Sequence, residues 1–212
     1  MRKARYENSI ALLIILTTLL VACSSAPFNA GPMDVGFLRQ RAEVQTFEPL
    51  TVNAAVPGPR ESISLFGVHL YDSGVQPVWL EIINKGDEII RFALVSVDRD
   101  YFSPLEVSYT HRKGFSRKAR AAMVKRFHSA GLTRYVEPGE TVSGFVFTHM
   151  SPGTKSFNVD LFGATTQQNF AFFIEVPGFK PDHAEVDFEQ LYSQDEFREL
   201  TTDEFRETLS EL

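Results

Sequence analysis

Residues 76–97 read QPVWLEIINKGDEIIRFALVSV, with apolar residues alternating on either side of a polar break. Successive side chains of an extended chain point to opposite faces. Val78, Leu80 and Ile82 therefore share one face, and Trp79, Glu81 and Ile83 the other. Ile90, Phe92 and Leu94 repeat the alternation in a second run rich in β-branched and aromatic residues. Between the runs stands Asn84-Lys85-Gly86-Asp87. Gly and Asn tolerate positive φ and Asp bonds its own backbone, so the pattern predicts a β-hairpin. The apolar rows of two strands need a second layer to cover them, which predicts a packed pair of sheets.

The rest of the chain repeats this signal. Leu50, Val52, Ala54 and Val56 alternate until Pro57-Gly58-Pro59 breaks the run. Residues 60–66 suit a short helix, with Pro59 at its first position and Gly67 just past its end. A strand with Ile63 and Leu65 inward is the competing expectation. Asp72-Ser73-Gly74 is a turn, 98–104 a loop, and Leu105, Val107 and Tyr109 alternate as another strand. Glu137-Pro138-Gly139-Glu140 opens a strand with Phe145 and Phe147 on one face and Val142, Gly144 and Val146 on the other. After Ser151-Pro152-Gly153, Phe157, Val159 and Leu161 face inward while Asn158 and Asp160 face water. Phe170, Phe172 and Ile174 mark the last strand, closed by Pro177-Gly178. About seven short strands with turn chemistry between them suit an immunoglobulin-like antiparallel β-sandwich. Phenylalanines spaced at period two are expected in its core.

Charge adds two helical departures from this mainly β class. Residues 107–136 hold eight Lys or Arg, two His and no acid. Within them 116–130 reads as an inserted basic helix, capped by Ser116, ended by Gly131, with Ala119, Met123, Phe127 and Ala130 as a thin apolar stripe. Residues 185–212 hold ten acids and two arginines. Thr201 with Glu204, and Phe205 with Leu209, predict one or two acidic C-terminal helices.

The N-terminus carries an address. Residues 1–5 are basic, and Ser9 to Ala22 is an unbroken apolar or hydroxyl-bearing run of 14 residues. A bilayer span needs about 20 residues, so this is a secretory leader rather than an anchor helix. Leu20-Val21-Ala22-Cys23, followed by Ser24 and Ser25, resembles the lipobox of bacterial lipoproteins. That resemblance implies cleavage before Cys23, acylation of its thiol and amine, and, with Ser24 next, an outer-membrane location in a Gram-negative cell. Cys23 is the only cysteine, so its lipidation leaves no thiol for a disulfide or a thiolate metal site. The organisation expected is a leader over 1–22, a lipidated flexible tether over 23–36, a β-sandwich over 37–182 and an acidic extension over 183–212.

Candidate chemistry is sparse. The leader carries three bases and one acid, so its removal takes the net charge from −6 to −8, which argues against nucleic acid as a partner. No phosphate loop, nucleophile elbow, HExxH or dinucleotide fingerprint occurs. His69, His111, His128, His149 and His183 are scattered, with no pair at i, i+4. Asp98, Asp100 and Glu106 form the best carboxylate cluster, a weak cation or hydrolase candidate with Arg99 in its midst. No metal or cofactor is expected. Arg112, Lys113, Arg117, Lys118, Arg120, Lys125 and Arg126 could meet an envelope protein, anionic lipid or anionic glycolipid. Internal pairing with the acidic extension is the competing expectation.

Gln76-Pro77-Val78-Trp79-Leu80-Glu81-Ile82 with Asn84, and Asp100-Tyr101-Phe102-Ser103-Pro104-Leu105-Glu106-Val107, resemble segments of bacterial envelope proteins, many of them lipoproteins. In some of those, the similar segment precedes a domain called the LssY C-terminal domain. Phe66-Gly67-Val68, Val176-Pro177-Gly178-Phe179 and Val186-Asp187-Phe188 fit the same pattern, so the likeness covers roughly 37–192. It implies a fold and an envelope location, and assigns no catalytic residue. Together these features predict a non-catalytic, lipid-anchored module that binds another envelope component.

Overall fold

A computed structural model describes residues 26–178, and two antiparallel four-stranded sheets form its centre. In the first sheet the neighbours are β1 (Glu43–Phe47), β2 (Leu50–Ala55), β3 (Val75–Asn84) and β6 (Thr141–His149), in that order. In the second they are β5 (Tyr135–Val136), β4 (Ile90–Ala93), β7 (Thr154–Phe162) and β8 (Gln167–Glu175). Strands β2, β3 and β6 opposite β4, β7 and β8 follow the exchange between sheets of an immunoglobulin-like sandwich. The fold class expected from the alternation is the one found. Leu50, Val52, Val78, Leu80 and Ile82 from one sheet meet Phe92, Val159, Leu161, Phe170 and Phe172 from the other.

The hairpin expected over 76–97 is not formed. β3 pairs with β2 and β6, whereas β4 pairs with β5 and β7, so residues 85–89 carry the chain from one sheet to the other. The buried Asn84 ties the crossing to the end of β5. Its Nδ2 lies 2.8, 3.1 and 3.2 Å from the carbonyl oxygens of Glu88, Val136 and Glu137, and its Oδ1 accepts the Gly86 N–H at 3.0 Å. Leu94, expected in the second strand, stands in a 3-10 turn over Leu94–Ser96.

A second apolar layer covers the outer face of the first sheet, which buries β3 on both sides. Trp79, Phe145 and Phe147 point into it from the strands, and Leu38, Phe66, Val107, Met123 and Phe127 from the helices. The first helix, α1 (Gly36–Gln40), places Arg39 over β3, where its guanidinium meets the buried Glu81 carboxylate at 2.5 Å. Asn53 Nδ2 donates to the other Glu81 oxygen at 2.8 Å. Strand β1 and helix α1 have too few alternating or periodic apolar residues to stand out in the sequence.

α2 (Pro59–Phe66) settles the choice between helix and strand there. Its start is closed by the Gly58 N–H donating to Glu61 Oε2 at 2.8 Å. Its end is Gly67 at φ 69°, whose N–H donates to the Ile63 carbonyl.

Residues 105–109, expected as a strand, belong to α3 (Pro104–Thr110). Ser103 and Glu106 form a reciprocal capping box with Pro104 at the first helical position. In a strand Leu105, Val107 and Tyr109 would share a face. In the helix Val107 is buried, while Leu105 and Tyr109, four residues apart, stay on the exposed side.

α4 (Arg117–Ala130) corresponds to the helix expected over 116–130. Ser116 Oγ accepts the Ala119 N–H at 3.1 Å, and Ala119, Met123, Phe127 and Ala130 are its buried residues. As the chain leaves α4, the Leu132 N–H donates to the Phe145 carbonyl and the Phe102 N–H to the Phe147 carbonyl. These two bonds occupy the outer edge of β6. Gly144 permits the approach, because a Cβ there would stand 2.7 Å from the Leu132 Cα.

The expected tether over 23–36 is corrected from Ala26 onward. The Ala26 N–H donates to the Gly114 carbonyl, Phe28 sets its ring edge against Phe115, and the Gly31 N–H donates to the Ser64 carbonyl. The segment is apolar enough at Phe28, Met33 and Val35 to dock on the helical layer rather than remain a spacer. The leader 1–22, Cys23, His183 and the acidic extension lie outside the described residues. Among the described residues no helix is long and apolar enough to cross a membrane.

Candidate functional site

The seven basic residues singled out in the sequence divide into two groups. Arg126 is spent on structure: its guanidinium donates to the Leu65 carbonyl from Nε and Nη2, and Nη2 also reaches the Gly31 carbonyl at 2.6 Å. It ties the N-terminal segment to the end of α2. Burial of this guanidinium lowers its pKa from the ordinary arginine value. The other six remain at the surface of α4 and the turn before it. Lys113, Arg117, Lys118, Arg120 and Lys125 are exposed, and Arg112 is half-buried with its guanidinium 3.3 Å from the Tyr109 ring centroid. Arg120 Nε donates to the Phe115 carbonyl at 2.8 Å, which holds its base against the turn. Among the described residues, Arg112, Lys113, Arg117, Lys118, Arg120 and Lys125 have no carboxylate within ion-pair distance.

The carboxylate cluster does not assemble. Glu106 closes the N-terminus of α3 by accepting the Ser103 N–H, and Asp100 is exposed. Asp98 turns away to the end of β6. Its Oδ2 accepts the His149 N–H at 2.7 Å and stands 3.0 Å from His149 Nδ1, while Oδ1 accepts the Asp100 N–H at 3.0 Å. Among the described residues no three His, Cys, Asp or Glu side chains converge to hold a metal ion.

Asp98 and His149 are 51 positions apart, and no sequence signal joins them. The Phe102 ring lies 4.5 Å from the imidazole, and the buried Lys155 donates from Nζ to the His149 carbonyl at 2.6 Å. Burial lowers the Lys155 pKa, opposed by the Asp98 charge. Burial also pushes the Asp98 carboxyl upward, but the hydrogen bonds from His149 and Asp100 outweigh it and hold the group below its ordinary value of 3.8. An aspartate that orients an imidazole is half of a nucleophile–base relay. Among the described residues no hydroxyl is hydrogen-bonded to Nε2 of His149; the bonds the pair does make, with Phe102 N–H on the Phe147 carbonyl, hold the 98–102 loop onto β6.

A carboxylate with a depressed folded pKa stabilises the fold above its unfolded pKa, and that contribution disappears as the pH falls through the folded pKa. Asp98→Asn is therefore expected to lower the melting temperature at pH 7. The gap from the parent should narrow below about pH 4 and close in stronger acid. A gap independent of pH would show that shape rather than charge makes the lock.

A second histidine, His111, stands with Nδ1 2.8 Å from the Val107 carbonyl and Nε2 2.8 Å from Ser73 Oγ. The carbonyl can only accept, so Nδ1 donates to it. Ser73 Oγ is also 2.7 Å from the Leu70 carbonyl, and its single proton serves one acceptor at a time. This contact joins the 3-10 turn Tyr71–Ser73 to the end of α3. The two residues are 38 positions apart and carry no local motif.

Comparison with known families found no family model that matches the chain. No curated protein matches it either.

Proposed function

We propose that this chain is a lipid-anchored protein of the bacterial cell envelope, whose β-sandwich serves as a non-catalytic binding or structural module for another envelope component. The observation that carries the proposal is the seat of Ala26. It lies three residues after Cys23, the cysteine that ends the lipobox-like run, and its N–H is bonded to Gly114 in the basic turn. An acylated Cys23 would therefore hold the body directly against a membrane rather than on a long leash. The leader pattern supports export, and Ser24 after the cysteine supports the outer membrane as destination. The dispersal of Asp98, Asp100 and Glu106 to a loop lock, an exposed loop position and a helix cap supports a role in binding over catalysis.

The experiment is expression of the full chain in a Gram-negative host with an alkyne-tagged palmitate, followed by membrane fractionation. The wild-type chain is expected to take up label and sediment with outer membranes. Cys23→Ala should take up none and should no longer sediment as a mature membrane-bound species. A wild-type chain that is unlabelled and soluble would overturn the proposal.

A further inference from the structure

We infer that the turn between α3 and α4, with the exposed side of α3, is a membrane-facing surface that docks on the anionic phospholipid headgroups around the anchor. The inference rests on the lipidation proposed above and adds an orientation that lipidation alone does not give. Three residues of chain span at most about 11 Å. The acylated residue must then lie within that distance of Ala26, which is bonded to Gly114 between Lys113 and Phe115. The exit point is held at several places along the chain, by Ala26 on Gly114, Phe28 on Phe115, and Gly31 between the Ser64 carbonyl and Arg126.

The chemistry around that exit suits an anionic interface. Lys113, Arg117, Lys118 and Arg120 are exposed there. Three of these cations lie in the first turn of α4, where the helix dipole disfavours positive charge and no acid offsets it. A layer of phosphates would supply that countercharge. Beside the turn, Tyr109 and Leu105 lie four residues apart on the solvent side of α3, 60% and 63% exposed. Tyrosine with an arginine stacked on it, next to an exposed leucine, is the composition that enters a headgroup layer.

The mature chain carries a net charge of −8, so attraction must be local. At about 0.1 M salt the Debye length is about 10 Å, and distant acids are screened while the turn at the surface is not. Each exposed cation at an anionic surface strengthens binding about five-fold.

The test uses the full mature chain with Cys23→Ser, so that no acyl chain contributes. Its flotation is measured with phosphatidylcholine vesicles, with and without roughly 40% phosphatidylglycerol, at about 0.1 M salt. The chain is expected to float with anionic vesicles, to stay behind with neutral ones, and to be released at about 0.5 M salt. Changing Lys113, Arg117, Lys118 and Arg120 to Gln should weaken flotation about 600-fold, about five-fold for each of the four cations. Arg91→Gln in β4 with Arg134→Gln just before β5 should leave it unchanged. Failure of the parent chain to float on anionic vesicles, or equal weakening by the two sets, would overturn the inference. Either outcome leaves the palmitate labelling of Cys23 untouched, so this inference and the lipid anchor can fail separately.

Discussion

Phe66→Ala is expected to destabilise the folded domain by about 3–5 kcal/mol, the usual range for removing a buried phenylalanine. Phe66 is fully buried at the end of α2, and its ring is the hub of the helical layer. It stacks on Phe127 of α4 at 5.1 Å and meets Phe145 and Phe147 of β6 edge-on at 5.1 and 5.3 Å. Offset and edge-to-face pairs of this kind contribute beyond the buried area alone. The neighbours belong to two further elements, α4 and β6, on separate stretches of backbone, so the cavity cannot collapse by moving one side chain. Urea unfolding of the protein, followed by Trp79 fluorescence, measures the change directly. Trp79 lies in the same layer and is itself fully buried. A loss below about 1 kcal/mol would show that the helices rest loosely on the sheet and are not part of its core.

Asn84→Leu is expected to cost about 2–4 kcal/mol, since each buried backbone group left without its partner costs about 1–3 kcal/mol. Leucine has similar volume and removes only the polar contacts. The carbonyls of Glu88, Val136 and Glu137 and the N–H of Gly86 would all lose the amide between them. Two of those carbonyls lie at the end of β5 and the turn after it, so the side chain joins the crossing at 84–88 to a stretch some fifty positions away. Asn158→Leu, on the exposed face of β7, is the control and should stay within about 0.5 kcal/mol in the same urea unfolding experiment. Equal effects at the two positions would remove Asn84 from its role as the tie at the crossing.

That crossing also shows what local pattern can and cannot reveal. The alternation in residues 76–97 correctly identifies two extended segments and the faces of the first. A polar break with Asn and Gly is equally compatible with a hairpin and with a passage between sheets. The choice depends on which strands take the neighbouring positions, and β2, β6 and β7 come from elsewhere in the chain. An immunoglobulin-like sandwich requires a crossing at this point, so the expected hairpin and the expected fold class could not both hold.

Residues 103–109 give the opposite lesson. Ser103, Pro104 and Glu106 are a complete helix-start signal, but the alternation of Leu105, Val107 and Tyr109 competes with it over too few residues for periodicity to decide. The cap prevails because it satisfies backbone groups that a strand at this site would have to pair with another chain segment.

The candidate surface was partly legible. The basic composition of 107–136 and the helix over its centre follow from the sequence. That Arg126 is structural and Lys113 is not depends on the N-terminal segment lying across α2 and α4, with 95 positions between Arg126 and the carbonyl of Gly31 that it holds. The Asp98–His149 lock has the same character, since its two residues stand 51 positions apart.

By itself, then, the sequence determined the elements whose cause is local: alternating strands, glycine and proline turns, capped helices and the charge of each segment. It also determined the sandwich class, because half-buried strands leave few other ways to hide their apolar rows. Only the tertiary structure decided which strands neighbour one another, that a helical layer buries the far face of β3, and that Ala26 sits against the basic turn. Those outcomes rest on contacts between residues tens of positions apart. Their free energy appears only once both partners are in place, and no window along the chain contains both.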